Sequence, residues 1–156
     1  MGDRIVDLDS WAEDRFSAFC SRAGVTRNKS VQDRTGWDYL IEFPPAPTRL
    51  IPADLRPIEA SARVQVKSKR SGKASVTLKL SNALRFAKDP LPCFVILFLA
   101  TGGSEPVRVF VRHFWQQEIG QTLKRAREAH AKGATTSTIS ALPSASMLRT
   151  NTVAIL

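Results

Sequence analysis

Apolar residues recur at two spacings along this chain, and the change from one to the other divides it into helices and strands. From Leu8 to about Ala23, the residues Trp11, Phe16, Phe19, Cys20 and Ala23 form a stripe of helical period. Ser10 followed by Glu13 has the spacing of a capping box, and Gly24 is a natural stop. Val25 to Val31 is a short strand candidate. Asp33 to Gly36 is a turn signal, and Trp37 to Phe43 predicts a strand in which Asp38, Leu40 and Glu42 share one parity. Pro44, Pro45, Pro47, Pro52 and Pro57 then break any period as far as Glu59. Two strands flank this stretch, so it is expected to be an elaborated hairpin connection.

Alternation returns at Ala60 to Lys67, where Val64 and Val66 point one way and Gln65, Lys67 and Lys69 the other. Ser68 to Lys73 is a basic turn, and Ala74 to Leu80 alternates again as a strand. Ser81 to Lys88 predicts a short helix with Ser81 as N-cap, ended by Asp89-Pro90. Pro92 to Ala100 is a continuous apolar run of strand length, which belongs in the interior of a sheet with both faces covered. A Gly-rich turn over Thr101 to Glu105 leads to a strand at Val107 to Val111, antiparallel to its predecessor. Arg112 to Lys132 predicts a long helix burying Phe114, Trp115, Ile119 and Leu123, with Lys124, Arg125, Arg127 and Lys132 making its second half basic. Thr136 to Ala141 is a further strand candidate. Val153 to Leu156 looks like the start of another element. The expected organisation is one α/β domain over residues 1–150, with 151–156 opening a linker or further domain of a longer protein.

The charge balance narrows the partners. With 156 residues and 43% hydrophobic residues the chain suits one globular domain, and Lys+Arg 23 against Asp+Glu 14 gives a formal charge of +9. Such an excess favours a polyanion, most often nucleic acid, with an anionic membrane surface as the rival. No segment is apolar enough to span a membrane, and the acidic N-terminus lacks a signal core, so the expected location is cytoplasmic. Cys20 and Cys93 sit among apolar neighbours without CxxC spacing, which fits buried thiols in a reducing compartment. His113 and His130 have no Cys or His at zinc-ligand spacing.

The basic residues are not evenly spread. From Ala60 to Lys88 there is no acidic residue, whereas Arg63, Lys67, Lys69, Arg70, Lys73, Lys79, Arg85 and Lys88 are all basic. Solvated faces usually mix signs, so this run favours phosphate contact, with Lys69, Arg70 and Lys73 as the candidate DNA-binding residues. On the strand, Gln65 and Lys67 place a carbonyl oxygen beside an ammonium, about 7 Å apart. Such a pair can serve a metal ion and a phosphate; the plain alternative is an edge strand that Lys protects from aggregation. Asp38 packs poorly in an otherwise aromatic and aliphatic strand and needs a cation, a metal or several backbone donors. Its plain alternative is an Asx turn at the strand start.

Taken in order, Glu13 on a helix, Asp33-x-x-Gly36-x-Asp38 on a strand and Gln65-x-Lys67 on the next strand form a set. It resembles the PD-(D/E)XK nuclease superfamily, in particular the Mrr-like branch in which Gln replaces an acidic residue. The resemblance covers about residues 8–115 and extends to nuclease domains of bacterial anti-phage defence effectors, where a C-terminal sensor domain or partner protein and homo-oligomers are found. It implies a restriction-endonuclease-like core, a mixed sheet flanked by helices, that cuts double-stranded DNA. It also implies Mg²⁺ (or Mn²⁺) on Asp38, Gln65 and Glu13, and it makes these three and Lys67 the catalytic set.

The chemistry suits those residue types. A divalent cation lowers the pKa of bound water and polarises a phosphoryl oxygen, and Mg²⁺ prefers oxygen ligands. Asp38 offers a carboxylate, Gln65 a neutral carbonyl, and Lys67 a charge to orient water near the scissile phosphate. Two departures stand out: Gln65 removes one negative charge, and Trp37 occupies the place of the Pro that usually precedes the catalytic Asp. The competing functions are a silent nuclease fold that only binds nucleic acid, and a basic module that meets an acidic protein or membrane.

Overall fold

The computed structural model describes residues 5–31, 36–45, 51–56, 59–100 and 107–133. Helix α1 (Leu8–Arg22) is followed by strands β1 (Thr26–Lys29), β2 (Tyr39–Glu42) and β3 (Ser61–Lys69), then helix α2 (Leu80–Lys88), strands β4 (Cys93–Ala100) and β5 (Val107–Phe114), and helix α3 (Gln116–Ala131). The strands form one mixed sheet in the order β1-β2-β3-β4-β5. All neighbours are antiparallel except β3 and β4, which run parallel, with α2 carrying the chain from one to the other. The expected α/β class, with a mixed sheet flanked by helices, is therefore observed. Among the described residues no helix is long and apolar enough to cross a membrane.

The period-two pattern of β3 sorts its side chains between two cores. Ala62, Val64 and Val66 face α1, where they meet Ala12, Phe16 and Cys20 together with Tyr39, Ile41 and Phe98. On the opposite face Ala83 and Phe86 of α2 pack with Cys93, Val95 and Phe114, and Ile119 of α3 joins them. Val64, Leu97, Phe98 and Leu99 are almost fully enclosed, each contributing roughly 1.5–3 kcal/mol by burial. The apolar run of β4 lies between β3 and β5, as a strand covered on both faces must. Cys20 and Cys93 are free, buried thiols. Burial pushes the Cys93 thiol up to about 12.

Several local expectations are corrected. The first helix is capped by Asp7, whose carboxylate accepts from the Ser10 N–H at 3.0 Å and the Ser10 hydroxyl at 2.7 Å. Ser10 is thus inside the helix, and Glu13 is released from any capping role. Of the expected α1 stripe, Phe19 and Ala23 are exposed, and the buried row is Ala12, Phe16 and Cys20. Strand β3 is interior to the sheet rather than an edge. Residues 74–79 form no strand. Val76 and Leu78 do turn inward, onto the core beneath α2, but β4 is already paired on both sides. The alternation there records one-sided burial without a backbone partner.

Helix α2 starts at Leu80, with Lys79 rather than Ser81 at the N-cap, two residues early. The long helix α3 starts late, because Arg112 to Phe114 complete an eight-residue ladder between β5 and β4. Trp115 is consequently 53% exposed, and the buried polar residues of α3 are Glu118 and Thr122. Burial would raise the Glu118 carboxyl, but hydrogen bonds from Arg112 and from the Trp115 N–H outweigh it and hold the group below its ordinary value. Between β2 and β3 the connection holds a single 3₁₀ turn, Ala53–Leu55, among the described residues. The Thr101–Glu105 turn and the Thr136–Ala141 strand candidate lie outside the described residues.

Candidate active site

The candidate site begins where β2 stops. Its pairing with β3 runs from Glu42↔Ser61 to Tyr39↔Val64. Strand β3 continues to Lys69 alongside β4, so from Gln65 onward its other side is open. Asp38 stands at that opening. Its backbone N–H donates to the Val64 carbonyl at 2.9 Å, and its own carbonyl accepts from the Ser30 N–H at 2.8 Å. Its side chain then takes the place of the missing strand, Oδ2 accepting from the Val66 N–H at 2.6 Å. The carboxylate therefore reaches across to the neighbouring strand.

Gln65 is the next residue along the open side. It is only 5% exposed, and its Oε1 is buried with no hydrogen-bond partner. Lys67, two residues on, is half-buried. Asp38, Gln65, Lys67 and Glu13 all line one cleft of about 780 Å³. Glu13 enters from α1, where its carboxylate accepts a hydrogen bond from the Lys29 ammonium and another from the Tyr39 hydroxyl at 3.3 Å. That hydrogen bond to Glu13, with the attraction of the carboxylate, raises the Lys29 pKa. Burial, and then the charge of Glu13, raises that of Tyr39. On the same rim the Ser68 hydroxyl donates to Asp9. Asp33 of the sequence pattern lies outside the described residues.

Gly36 has a role beyond its turn. Its φ is +77°, and a Cβ there would stand 3.0–3.1 Å from the Asn82 side chain. Only glycine lets the first turn of α2 sit this close to the Asp38 loop.

The basic run is divided among different tasks. Arg63 is withdrawn from any ligand: it forms an ion pair with Asp89, and its guanidinium lies 4.6 Å from the centre of the Trp37 ring. Lys69 donates to the Lys73 carbonyl at 3.0 Å, and Arg70 to the Ile5 carbonyl at 2.7 Å, at the far end of β3. Lys79 and Arg85 line the cleft itself. Sequence reasoning recorded both as members of the basic run but did not single them out. It passed over Lys29 and Tyr39, whose relation to Glu13 depends on the register of β1 against β2.

As a metal centre the cleft offers hard oxygen donors, the Asp38 carboxylate and the buried Gln65 carbonyl, with Glu13 at the rim. Among the described residues no three His, Cys, Asp or Glu side chains come together to hold a metal. The unpartnered Oε1 of Gln65 is compatible with use as a ligand. Comparison with protein-family models, with curated proteins and with solved structures finds no match to this chain.

Proposed function

We propose that this chain is a metal-dependent nuclease domain of the PD-(D/E)XK kind, with a restriction-endonuclease-like core, which hydrolyses phosphodiester bonds in double-stranded DNA. The observation that carries the reading is the Gln65 carbonyl oxygen, buried and without a partner beside Asp38 and Lys67. Leaving a buried acceptor unsatisfied costs roughly 1–3 kcal/mol. A bound cation would relieve that cost, and few other roles explain why a polar side chain is kept there.

In this reading Asp38 and Gln65 hold Mg²⁺ or Mn²⁺, with Glu13 reaching it through water. When bound, the ion supplies an acidified water and a polarised phosphoryl oxygen. Lys67 projects from the same strand face as Gln65, two residues away. Its ammonium offsets the charge that grows on the phosphate and orients the attacking water. Asp38 does double work, since its bond to the Val66 N–H holds the loop in register while its charge serves the cation. Lys69, Arg70 and Lys73 extend the positive surface along the duplex.

A second reading, a nuclease fold that binds DNA without cutting it, draws on a different observation. The three carboxylates that line the cleft already have partners, Asp38 in Val66, Glu13 in Lys29 and Asp9 in Ser68. Plasmid cleavage with Mg²⁺, against EDTA controls, separates the two. The nuclease reading expects Mg²⁺-dependent nicking that disappears in Asp38→Ala and Lys67→Ala. An intact plasmid with the unaltered chain would favour the silent binder.

A further inference from the structure

The cleft has a second wall, which the catalytic set does not use. It is built from the first turn of α2. Lys79 holds the N-cap in extended conformation, with φ −60° and ψ 139°, and makes no side-chain cap hydrogen bond. The first helical bond runs from the Ala83 N–H to the Lys79 carbonyl at 3.0 Å. The amides of Leu80, Ser81 and Asn82 therefore have no acceptor within the helix, and the positive end of the helix dipole is concentrated there. The first turn holds no acidic residue. The side chains of Lys79, Ser81, Asn82 and Arg85 line the same cleft as Asp38, Gln65 and Lys67.

Two further observations make this more than a bare helix end. Gly36 keeps the turn against the Asp38 loop, because any Cβ at that position would press on Asn82. Independently, Gln65, which is 5% exposed, lines the cleft, and its unpartnered carbonyl calls for the cation that would accompany a phosphate. The cleft is thus polarised. Asp9, Glu13 and Asp38 line the side of α1 and the sheet together with Lys29, which is paired to Glu13, and Lys67, whereas Lys79, Arg85 and the helix end line the α2 side without any acidic residue. A phosphodiester accompanied by a cation carries both of the charges this arrangement can accept.

We infer that the first turn of α2, with Lys79, Ser81, Asn82 and Arg85, is a subsite for a second phosphate of the nucleic-acid strand, next to the one over Asp38, Gln65 and Lys67. This rests on the nucleic-acid reading of the cleft, and it assigns the anchoring of the cleaved strand to α2. Lys79 and Arg85 provide charge; the helix amides and the Ser81 hydroxyl provide directed donors.

The test is binding of a short DNA duplex to the full chain in EDTA, followed by fluorescence anisotropy over a range of salt, so that no metal or turnover is involved. Lys79→Ala/Arg85→Ala changes two exposed side chains; it should raise Kd about tenfold and lower the salt slope by about two. Lys79→Asp is the sharper variant. Aspartate is a favoured N-cap and would occupy the helix amides itself, so the melting temperature should match or exceed that of the unaltered chain while duplex affinity falls at least as far. If Lys79→Asp melts lower instead, the Lys79→Ala/Arg85→Ala pair decides. Unchanged Kd and salt slope in that pair, or no duplex binding by the unaltered chain at low salt, would overturn the subsite. Plasmid cleavage is scored separately. Loss of binding in the variants with no cleavage by the unaltered chain keeps the subsite and removes the hydrolytic reading; cleavage with variant-insensitive binding does the reverse.

Discussion

The Oδ2 atom of Asp38 accepts the backbone N–H of Val66 at 2.6 Å, so a side chain continues the ladder that β2 leaves at Tyr39. One carboxylate thereby stabilises the open flank of β3 and faces the cleft. Its two roles separate by mutation. Asp38→Ala strands the Val66 N–H and should cost roughly 1–3 kcal/mol. Asp38→Asn keeps an acceptor and should stay within about 1 kcal/mol of the unaltered chain. Both should lose Mg²⁺-dependent cleavage. Urea unfolding read beside plasmid nicking distinguishes them; equal destabilisation by Ala and Asn would mean that the charge, not the hydrogen bond, holds the strand flank.

Gln65 offers the most direct test of the proposed metal site. Gln65→Glu introduces a carboxylate where the residue is 5% exposed. Without metal this should lower stability, since burying a charge is costly. Mg²⁺ should recover the loss, with tighter calorimetric Mg²⁺ affinity than in the unaltered chain. Gln65→Leu removes an unsatisfied carbonyl and should be neutral or stabilising in EDTA, yet inactive in cleavage. A Glu variant whose melting temperature ignores Mg²⁺ would take Gln65 out of the metal's reach.

Gly36 should resist substitution. Gly36→Ala places a Cβ at positive φ, 3.0–3.1 Å from Asn82, and is expected to cost about 1–2 kcal/mol. Adding Asn82→Ala should return the steric part and leave the backbone part. The double-mutant cycle in urea reads that coupling directly.

Charge reversal of Lys69, Arg70 and Lys73 together should weaken duplex binding and reduce the salt slope by about three if all of them meet phosphates. Arg70 also donates to the Ile5 carbonyl at 2.7 Å. A single Arg70→Glu is therefore expected to loosen the N-terminal segment before α1, seen as faster amide exchange there. Unchanged affinity for the triple variant would leave the DNA surface to the α2 wall.

Stability should fall at both ends of the pH scale, for separate reasons. The Cys93 thiol is raised by burial to about 12 from an ordinary value of 9.0. The unfolded chain loses this proton first, so the contribution is complete below pH 9.0 and is lost as pH rises towards 12. Glu118 has the opposite sign: its lowered carboxyl favours folding above the ordinary value of 4.5 and loses that contribution as pH falls through the native value. Melting temperatures from pH 3 to 10.5 should flatten at the alkaline end in Cys93→Ala and at the acid end in Glu118→Gln.

Much of this protein follows from its sequence alone. The stripe of α1, the alternation of β3 and the unbroken apolar run of β4 are local periodicities, set by which side chains water excludes. They were enough to place α1, β1, β2, β3, β4 and β5 in order; Glu13, Asp38, Gln65 and Lys67 were grouped by the resemblance of their motifs to a nuclease superfamily, and they line one cleft. What the sequence did not determine depended on a partner distant in the chain. The alternation at 74–79 was real but found no free strand edge. Phe114 stayed in β5 because β4 supplied an eight-residue partner. The α1 cap is a local exception: Asp7 takes it from Ser10 because its carboxylate accepts from both the N–H and the hydroxyl of Ser10. Above all, only the tertiary structure ended β2 at Tyr39, gave the Val66 N–H to Asp38, buried the Gln65 carbonyl without a partner and brought the uncapped end of α2 into the same cleft. Each of these joins segments tens of residues apart, and local periodicity carries no information about such contacts.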